Sequence, residues 1–188
     1  MRTIPFITYV CILISVVNYI RMMYLSDREG RQSAIADSGA VYKPYIEEEH
    51  QYYRLLTGGF VHFSVWHLLM NLSVMWSLGQ SMEMYFGHIL FAILFFGSII
   101  TGNIFAVYIG DDHAISGGLS SGLYGLMAAE IAMVIHAGGF EAVTTNSSLM
   151  YTIGINLVLN FLPGISWKGH LGGACFGIVF MMFLLRVL

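Results

Sequence analysis

Three short stretches of this sequence carry residues able to perform acyl-transfer chemistry. In Trp66-His67-Leu68-Leu69-Met70-Asn71, His67 and Asn71 stand four apart and so share one helix face. In Gly117-Gly118-Leu119-Ser120-Ser121-Gly122-Leu123-Tyr124-Gly125, the same spacing aligns Ser120 with Tyr124. The third, His170-Leu171-Gly172-Gly173-Ala174-Cys175-Phe176-Gly177, sets His170, Gly173 and Gly177 in one stripe. A hydroxyl within hydrogen-bond reach of an imidazole is a nucleophile with its general base. Ser120 and His170 are the expected dyad, with Tyr124 packed beside the imidazole to hold its orientation. His67, Asn71 and the Ser120 N–H would then donate to a tetrahedral oxyanion, each donor contributing about 3 to 4 kcal/mol in known acyl-transfer sites. Gly117-Gly118 allows a tight turn into a helix whose first N–H groups lack partners.

No acid is well spaced to complete a triad. Glu83 lies about 24 Å from His67 along a continuous helix, and Glu130 about 15 Å past Ser120, at 1.5 Å per residue. Asp111 and Asp112 fall in a loop, where spacing alone decides nothing.

The elements that must position these groups are membrane helices. Hydrophobic residues make up 57% of the 188 and charged residues 10%, against about 25% charged in a soluble domain. About 20 apolar residues cross the hydrocarbon layer, and six segments qualify or nearly so: 5–24, 66–82, 88–109, 119–134, 149–162 and 170–188. They must be helical, because lipid offers no partner to exposed backbone. Gly138-Gly139, the polar patch 144–148 and Pro163-Gly164 punctuate the later segments. An ionisable group inside a membrane is tolerated when it faces the bundle or water, so the three polar faces point inward. Gly118-x-x-x-Gly122 and Gly173-x-x-x-Gly177 are small-residue faces through which two helices could pack until their backbones nearly touch. Such packing would bring Ser120 and His170 to one depth.

Between the first two segments lies a polar stretch, 25–60, too long for a simple connection. It includes Arg28, Arg31, Lys43 and Glu47-Glu48-Glu49. Formal net charge is -3 and there is no basic block for nucleic acid. Cys11 and Cys175 sit in apolar surroundings and suggest no disulfide framework. The first apolar segment lacks a small-residue cleavage site and reads as a retained span. An even number of crossings puts both termini on one side. A cytoplasmic placement agrees only weakly with the charge distribution, and the lack of a targeting extension favours a prokaryotic plasma membrane.

Taken singly, a membrane His, Asn or Ser reads as a helix-packing group; the coincidence of three inward faces carries more. With that order and placement the sequence resembles the rhomboid family of intramembrane serine proteases. The resemblance runs from Tyr53 to Gly177 through four blocks: Tyr53-Arg54-Leu55-Leu56-Thr57 with Phe60-Val61-His62; His67-x-x-x-Asn71 through Gly79 to Glu83-Met84-Tyr85-Phe86-Gly87; Gly118-Leu119-Ser120 with Tyr124 and Gly125; and His170-x-x-Gly173-x-x-x-Gly177. It implies an all-α polytopic membrane protein: a rhomboid-like six-transmembrane-helix bundle with a long membrane-associated first loop, forming one domain over 1–188. It further implies an endopeptidase that cuts in or beside a substrate's transmembrane helix, with Ser120 as nucleophile, His170 as base and Tyr124 stacked on it. Arg54 and Glu83 would be polar anchors, 149–162 a lateral gate, and 110–118 a cap over the site. Substrates would be membrane proteins arriving laterally from lipid, with no cofactor, metal or nucleic acid involved. The usual family pattern is Gly-x-Ser-Gly, and here Ser121 stands where the glycine would be. Ser121 is therefore a rival nucleophile, although it is rotated about 100° around the helix from Ser120.

Three other classes compete. A catalytically inactive relative that binds membrane-protein clients would not need Ser120, His170, His67 and Asn71 together. A transporter would be expected to show internal repeats with paired broken helices. A metalloprotease would want His-Glu-x-x-His or a similar ligand set; only His62, His67 and His170 could be gathered for zinc.

Overall fold

The computed structural model describes residues 4–111, 113–160 and 165–187. It is a helical bundle with one two-stranded ribbon at an end. Helix α1 (Phe6–Glu29) runs past the expected boundary into the polar stretch and stops at Gly30, whose φ of 86° no helix continues. Pro5 offers α1 no side-chain cap. Glu83 supplies one from elsewhere in the chain, its carboxylate accepting from the Ile7 and Thr8 N–H groups at 2.8 and 2.7 Å. The Thr8 hydroxyl adds a third bond at 2.7 Å. A carboxylate at a helix N-terminus meets both unpaired N–H groups and the positive end of the macrodipole. Glu83 is fully buried there.

The polar stretch is folded. It contains α2 (Arg31–Asp37), strand β1 (Val41–Tyr42), α3 (Lys43–Glu47), α4 (Arg54–Thr57) and a 3-10 turn, Gly58–Phe60. Buried Arg54 ties it together. Its guanidinium donates to the Ala36 and Ala40 carbonyls at 2.6 and 3.1 Å and to Gln51 Oε1 at 2.6 Å, and it lies 4.5 Å over the Tyr45 ring. The Asn18 amide donates to the Ser38 and Phe60 carbonyls, fastening the loop to α1, and Asn103 donates to Leu55 O at 2.8 Å. β1 pairs antiparallel with β2 (Ile115–Ser116) in the register Val41↔Ser116. The first loop thereby holds the segment in front of Ser120.

Helix α5 (Val65–Val74) is capped by Ser64, whose hydroxyl accepts from His67 N. A π turn, Met75–Gly79, joins it to α6 (Gln80–Tyr108). The stretch Val65–Tyr108 is 44 residues long, about 66 Å if continuous and far more than a hydrocarbon layer of about 30 Å. The chain breaks at Gly87 (φ 75°, ψ 170°), at the boundary expected between the second and third segments. α7 (Ser120–Thr145) continues beyond the expected 119–134 and is interrupted at Gly138 and Gly139 (φ 71°). Asn146, from the polar patch, caps α8 (Ser147–Leu159) by accepting from Leu149 N at 3.1 Å. α9 (Trp167–Val187) starts three residues before His170. The stop signal Pro163-Gly164 lies outside the described residues.

Among the described residues four helical stretches are long and apolar enough to cross a membrane, Phe6–Glu29, Val65–Tyr108, Ser120–Thr145 and Trp167–Val187, with Ser147–Val158 a shorter apolar helix. α6, α7 and α9 form the centre. Phe91, Leu94, Phe95 and Ile99 of α6 are completely buried, with Leu119, just ahead of α7, and Leu126 and Ala129 within it against them. The outside is apolar as well: Ile89 is 77%, Trp66 72%, Phe140 71% and Val179 66% exposed. A water-facing surface does not carry so many large apolar side chains, whereas a lipid-facing one does.

The packing register differs from the expected one. α7 does meet α9 through small residues, but the α7 face is Ser121 and Gly125. A Cβ on Gly173 would lie 2.0 Å from the Ser121 carbonyl oxygen, and one on Gly177 2.1 Å from that of Gly125. Gly122 instead turns to Phe95 and Ile99 of α6, and Gly118 to His67. The i, i+4 pattern names two candidate stripes on α7, one residue apart. Phe95 and Ile99 fill the space over one of them, leaving the other to α9.

Candidate active site

The register that joins α7 to α9 brings Ser120, at the first position of α7, to His170, near the start of α9. Ser120 Oγ and His170 Nε2 are 2.8 Å apart. The Tyr124 ring stacks on the imidazole with centroids 4.1 Å apart and planes 10° from parallel. Tyr124 is itself held, its hydroxyl donating to the Asn156 carbonyl of α8 at 2.7 Å. The expected hydroxyl, imidazole and stacked ring are therefore assembled.

The other ring nitrogen of the imidazole has a partner that the spacing of the sequence did not reveal. His170 Nδ1 lies 2.5 Å from Oδ1 of Asn160, the residue that ends α8. An amide oxygen can only accept, so Nδ1 carries the proton and Nε2 keeps its lone pair for the Ser120 hydroxyl. A search for a third acid could not find this group because it is an amide. Its position just ahead of Pro163-Gly164, at a helix end facing the histidine helix, was the available signal. Glu83 caps α1, Glu130 lies ten residues along α7, and Asp111 bonds locally to His113 N; none reaches the imidazole. Asp112 lies outside the described residues.

His67 and Asn71 face the same space from α5. A cavity of about 70 Å³ is bordered by His67, Asn71, Ser120, Tyr124 and His170. Gly118 explains how closely His67 approaches. Its φ is +116°, and a Cβ there would lie 2.8 Å from His67 Nε2, so backbone conformation and space both call for glycine. Asn71 differs in part from expectation: one donor of its amide is engaged with the His67 carbonyl at 2.8 Å, leaving the second for the cavity. The Ser120 N–H begins a helix and has no intrahelical acceptor.

The Ser121 side chain packs against Gly102 of α6 and Gly169 of α9 and makes no hydrogen bond to the imidazole. A Cβ on Gly102 of α6 would come 2.5 Å from Ser121 Cβ, and one on Gly169 3.3 Å from its Oγ. The side chain that replaces the family's usual glycine thus sits where α6 has none. Beside it a polar cavity of about 30 Å³ is bordered by Ser116, Ser120, Ser121, Ser166 and His170, room for about two waters.

His62 packs edge-on against His67 with centroids 5.0 Å apart. It is fully buried, and neither ring nitrogen has a hydrogen-bond partner among the described residues. Burial, and then the neighbouring His67, push its pKa down to about 3, which fixes it as a neutral ring. Among the described residues no group of three His, Cys, Asp or Glu is gathered as a metal site.

Comparison with known proteins fits this geometry. A family model described as Rhomboid domain matches residues 49–187. The chain is 30% identical over 158 residues to RHOMBOID-like protein 1 of Arabidopsis thaliana, covering 79% of this chain and 39% of the relative. It is 28% identical over 124 residues to the Rhomboid protease GluP of Bacillus subtilis (strain 168), covering 65% and 24%. It is also 28% identical over 144 residues to Inactive RHOMBOID-like protein 8 of Arabidopsis thaliana, covering 75% and 40%. The chain spans well under half the length of these three, which come from a plant and a bacterium, so the expected prokaryotic source stands unsupported. The match over most of the chain and its apolar helices together make this an integral membrane protein of the rhomboid family, a family that includes both proteases and inactive members.

Proposed function

We propose that this chain is an intramembrane serine endopeptidase that hydrolyses peptide bonds in or next to substrate transmembrane helices through Ser120 and His170. The observation that carries the reading is the 2.8 Å contact between Ser120 Oγ and His170 Nε2. The domain spans 1–188 and crosses the membrane six times. The Gly87 break divides Val65–Tyr108 into two crossings, α8 provides a fifth short one, and both termini face the cytoplasm.

Ser120 Oγ attacks the scissile carbonyl as its proton passes to His170 Nε2. Asn160 accepts from Nδ1–H throughout and so stabilises the imidazolium that forms. His67, the free donor of Asn71 and the Ser120 N–H stabilise the oxyanion. Collapse of the tetrahedral intermediate breaks the C–N bond, and His170 returns the proton to the departing amine. Water from the small polar cavity then hydrolyses the acyl-enzyme with His170 again acting as base. The substrate arrives from lipid between α5 and α8, and its helix must unwind because regular helical carbonyls are already bonded. Gly, Pro or polar residues near the cut lower that cost, and the tight space around Ser120 suits a small residue before the scissile bond.

Ser120→Ala and His170→Ala, reconstituted in vesicles with a single-span substrate, should express and keep their helicity yet give no cleavage. Full activity in either would end the proposal. An inactive, client-binding role draws support from the resemblance to Inactive RHOMBOID-like protein 8 and from Ser121; a chain that never labels with a fluorophosphonate would favour it.

A further inference from the structure

A large cavity bordering α8 does not hold the dyad. It has a volume of about 590 Å³ and opens between α5 and α8, with Ser73, Ser77, Ser81, Glu130, Thr152 and Asn156 on its walls. Four of these groups share one property. Ser77 Oγ donates to the Ser73 carbonyl at 3.2 Å and Ser81 Oγ to Ser77 O at 2.9 Å. Thr152 Oγ1 donates to Ser148 O at 3.0 Å and Asn156 Nδ2 to Thr152 O at 2.8 Å. Each of these four has turned a donor into its own helix, which leaves oxygen lone pairs toward the groove. The carboxyl among the residues bordering the cavity is that of Glu130 on α7, beside the hydroxyls of Ser73, Ser148 and Tyr151. Among the described residues it makes no hydrogen bond or ion pair, and no Lys or Arg borders the cavity. A carboxyl at membrane depth without a partner is costly, and such groups mark substrate paths.

We infer that this groove is a recognition subsite for a transmembrane segment that carries a hydrogen-bond donor, above all a Lys or Arg, placed to meet Glu130. A purely apolar segment would leave these four acceptors and the acid unmatched. A segment with an ammonium or guanidinium satisfies several at once. Glu130 lies ten residues beyond Ser120 on the unbroken part of α7, about 15 Å along the axis. The matching side chain therefore falls about ten residues past the scissile bond if the substrate is helical there, and about four or five if it is extended. The groove is continuous with the dyad through Asn156, which borders it and whose carbonyl holds Tyr124.

The inference rests on the proteolytic reading for its biological sense, but its test uses binding, so the two can fail separately. The full-length Ser120→Ala chain in lipid nanodiscs would be titrated with fluorescent single-span peptides. These peptides differ only in a Leu or a Lys stepped through positions four to ten beyond a fixed Gly-Ala site. The expected result is about tenfold tighter binding for Lys than Leu in one window of two or three adjacent positions. Adding Glu130→Gln should bring the ratio of the two affinities close to one. Equal binding at all positions, or a Lys preference that persists in Glu130→Gln, overturns the subsite. The position scan needs no Glu130 variant and remains decisive if that variant fails to fold. Loss of wild-type cleavage with the Lys preference intact would instead sink the protease reading and leave the subsite standing.

Discussion

Replacing Asn160 separates a positioning role from a packing role. Its Oδ1 lies 2.5 Å from His170 Nδ1, and the imidazole is 8% exposed, so solvent offers little replacement. Before reaction the bond joins neutral groups and contributes about 1 kcal/mol; once His170 has taken the serine proton it joins an amide to a cation, at about 1.5 to 3 kcal/mol. The difference, about 1 kcal/mol, appears only as charge develops, and therefore in kcat, where it corresponds to about fivefold. Asn160→Ala also frees the imidazole to take its other tautomer, and an even split would cost about another factor of two. The expectation is a fall of about tenfold in kcat with KM little changed, and an equal fall in the rate of fluorophosphonate labelling. Asn160→Asp, which keeps an acceptor oxygen in place, should recover most of both. The assay is single-span substrate cleavage in proteoliposomes beside timed labelling. Unchanged kcat in Asn160→Ala, or an Asp variant as impaired as Ala, would refute the reasoning.

Two further outcomes follow from particular contacts. Gly173→Ala puts a methyl 2.0 Å from the Ser121 carbonyl, whereas a Cβ on Gly154 meets nothing within 4 Å. Gly173→Ala should lose at least about 1 to 3 kcal/mol and Gly154→Ala almost nothing, read as thermal unfolding in detergent. For His62, a folded pKa lowered from 6.5 to about 3 means that the unfolded chain binds the proton first. Stability is then complete above about pH 6.5 and declines as pH falls toward 3, by up to about 1.4 kcal/mol per unit. His62→Leu should flatten this acid limb in a pH series of melting temperatures, and an unchanged limb would count against a buried neutral ring.

The chemistry of the site was legible because membrane burial makes polar residues conspicuous. Ser120, His170, His67, Asn71 and Tyr124 each stand out in an apolar helix, and their spacing fixed the inward faces. Arg54 and Glu83 were recognisable as anchors from the resemblance, but not what they anchor. That Glu83 caps α1, more than seventy residues away in sequence, depends on tertiary proximity that no local pattern encodes. The packing stripe on α7 was ambiguous for a related reason: Gly118-Gly122 and Ser121-Gly125 both satisfy the four-residue rule, and Phe95 and Ile99 decide between them. Asn160 went unseen because the search was for a carboxylate. Helix ends shifted beyond the apolar runs, as at Asn146, which caps α8, and at Trp167, where α9 starts three residues before His170.

The central claim is that Ser120, and not its neighbour Ser121, is made nucleophilic by His170. A fluorophosphonate probe applied to the wild-type chain in lipid, followed by mass mapping of the adduct, tests this most directly. The account predicts one adduct on Ser120 that disappears in His170→Ala. An adduct on Ser121, or labelling of Ser120 that continues at full rate without His170, would contradict it.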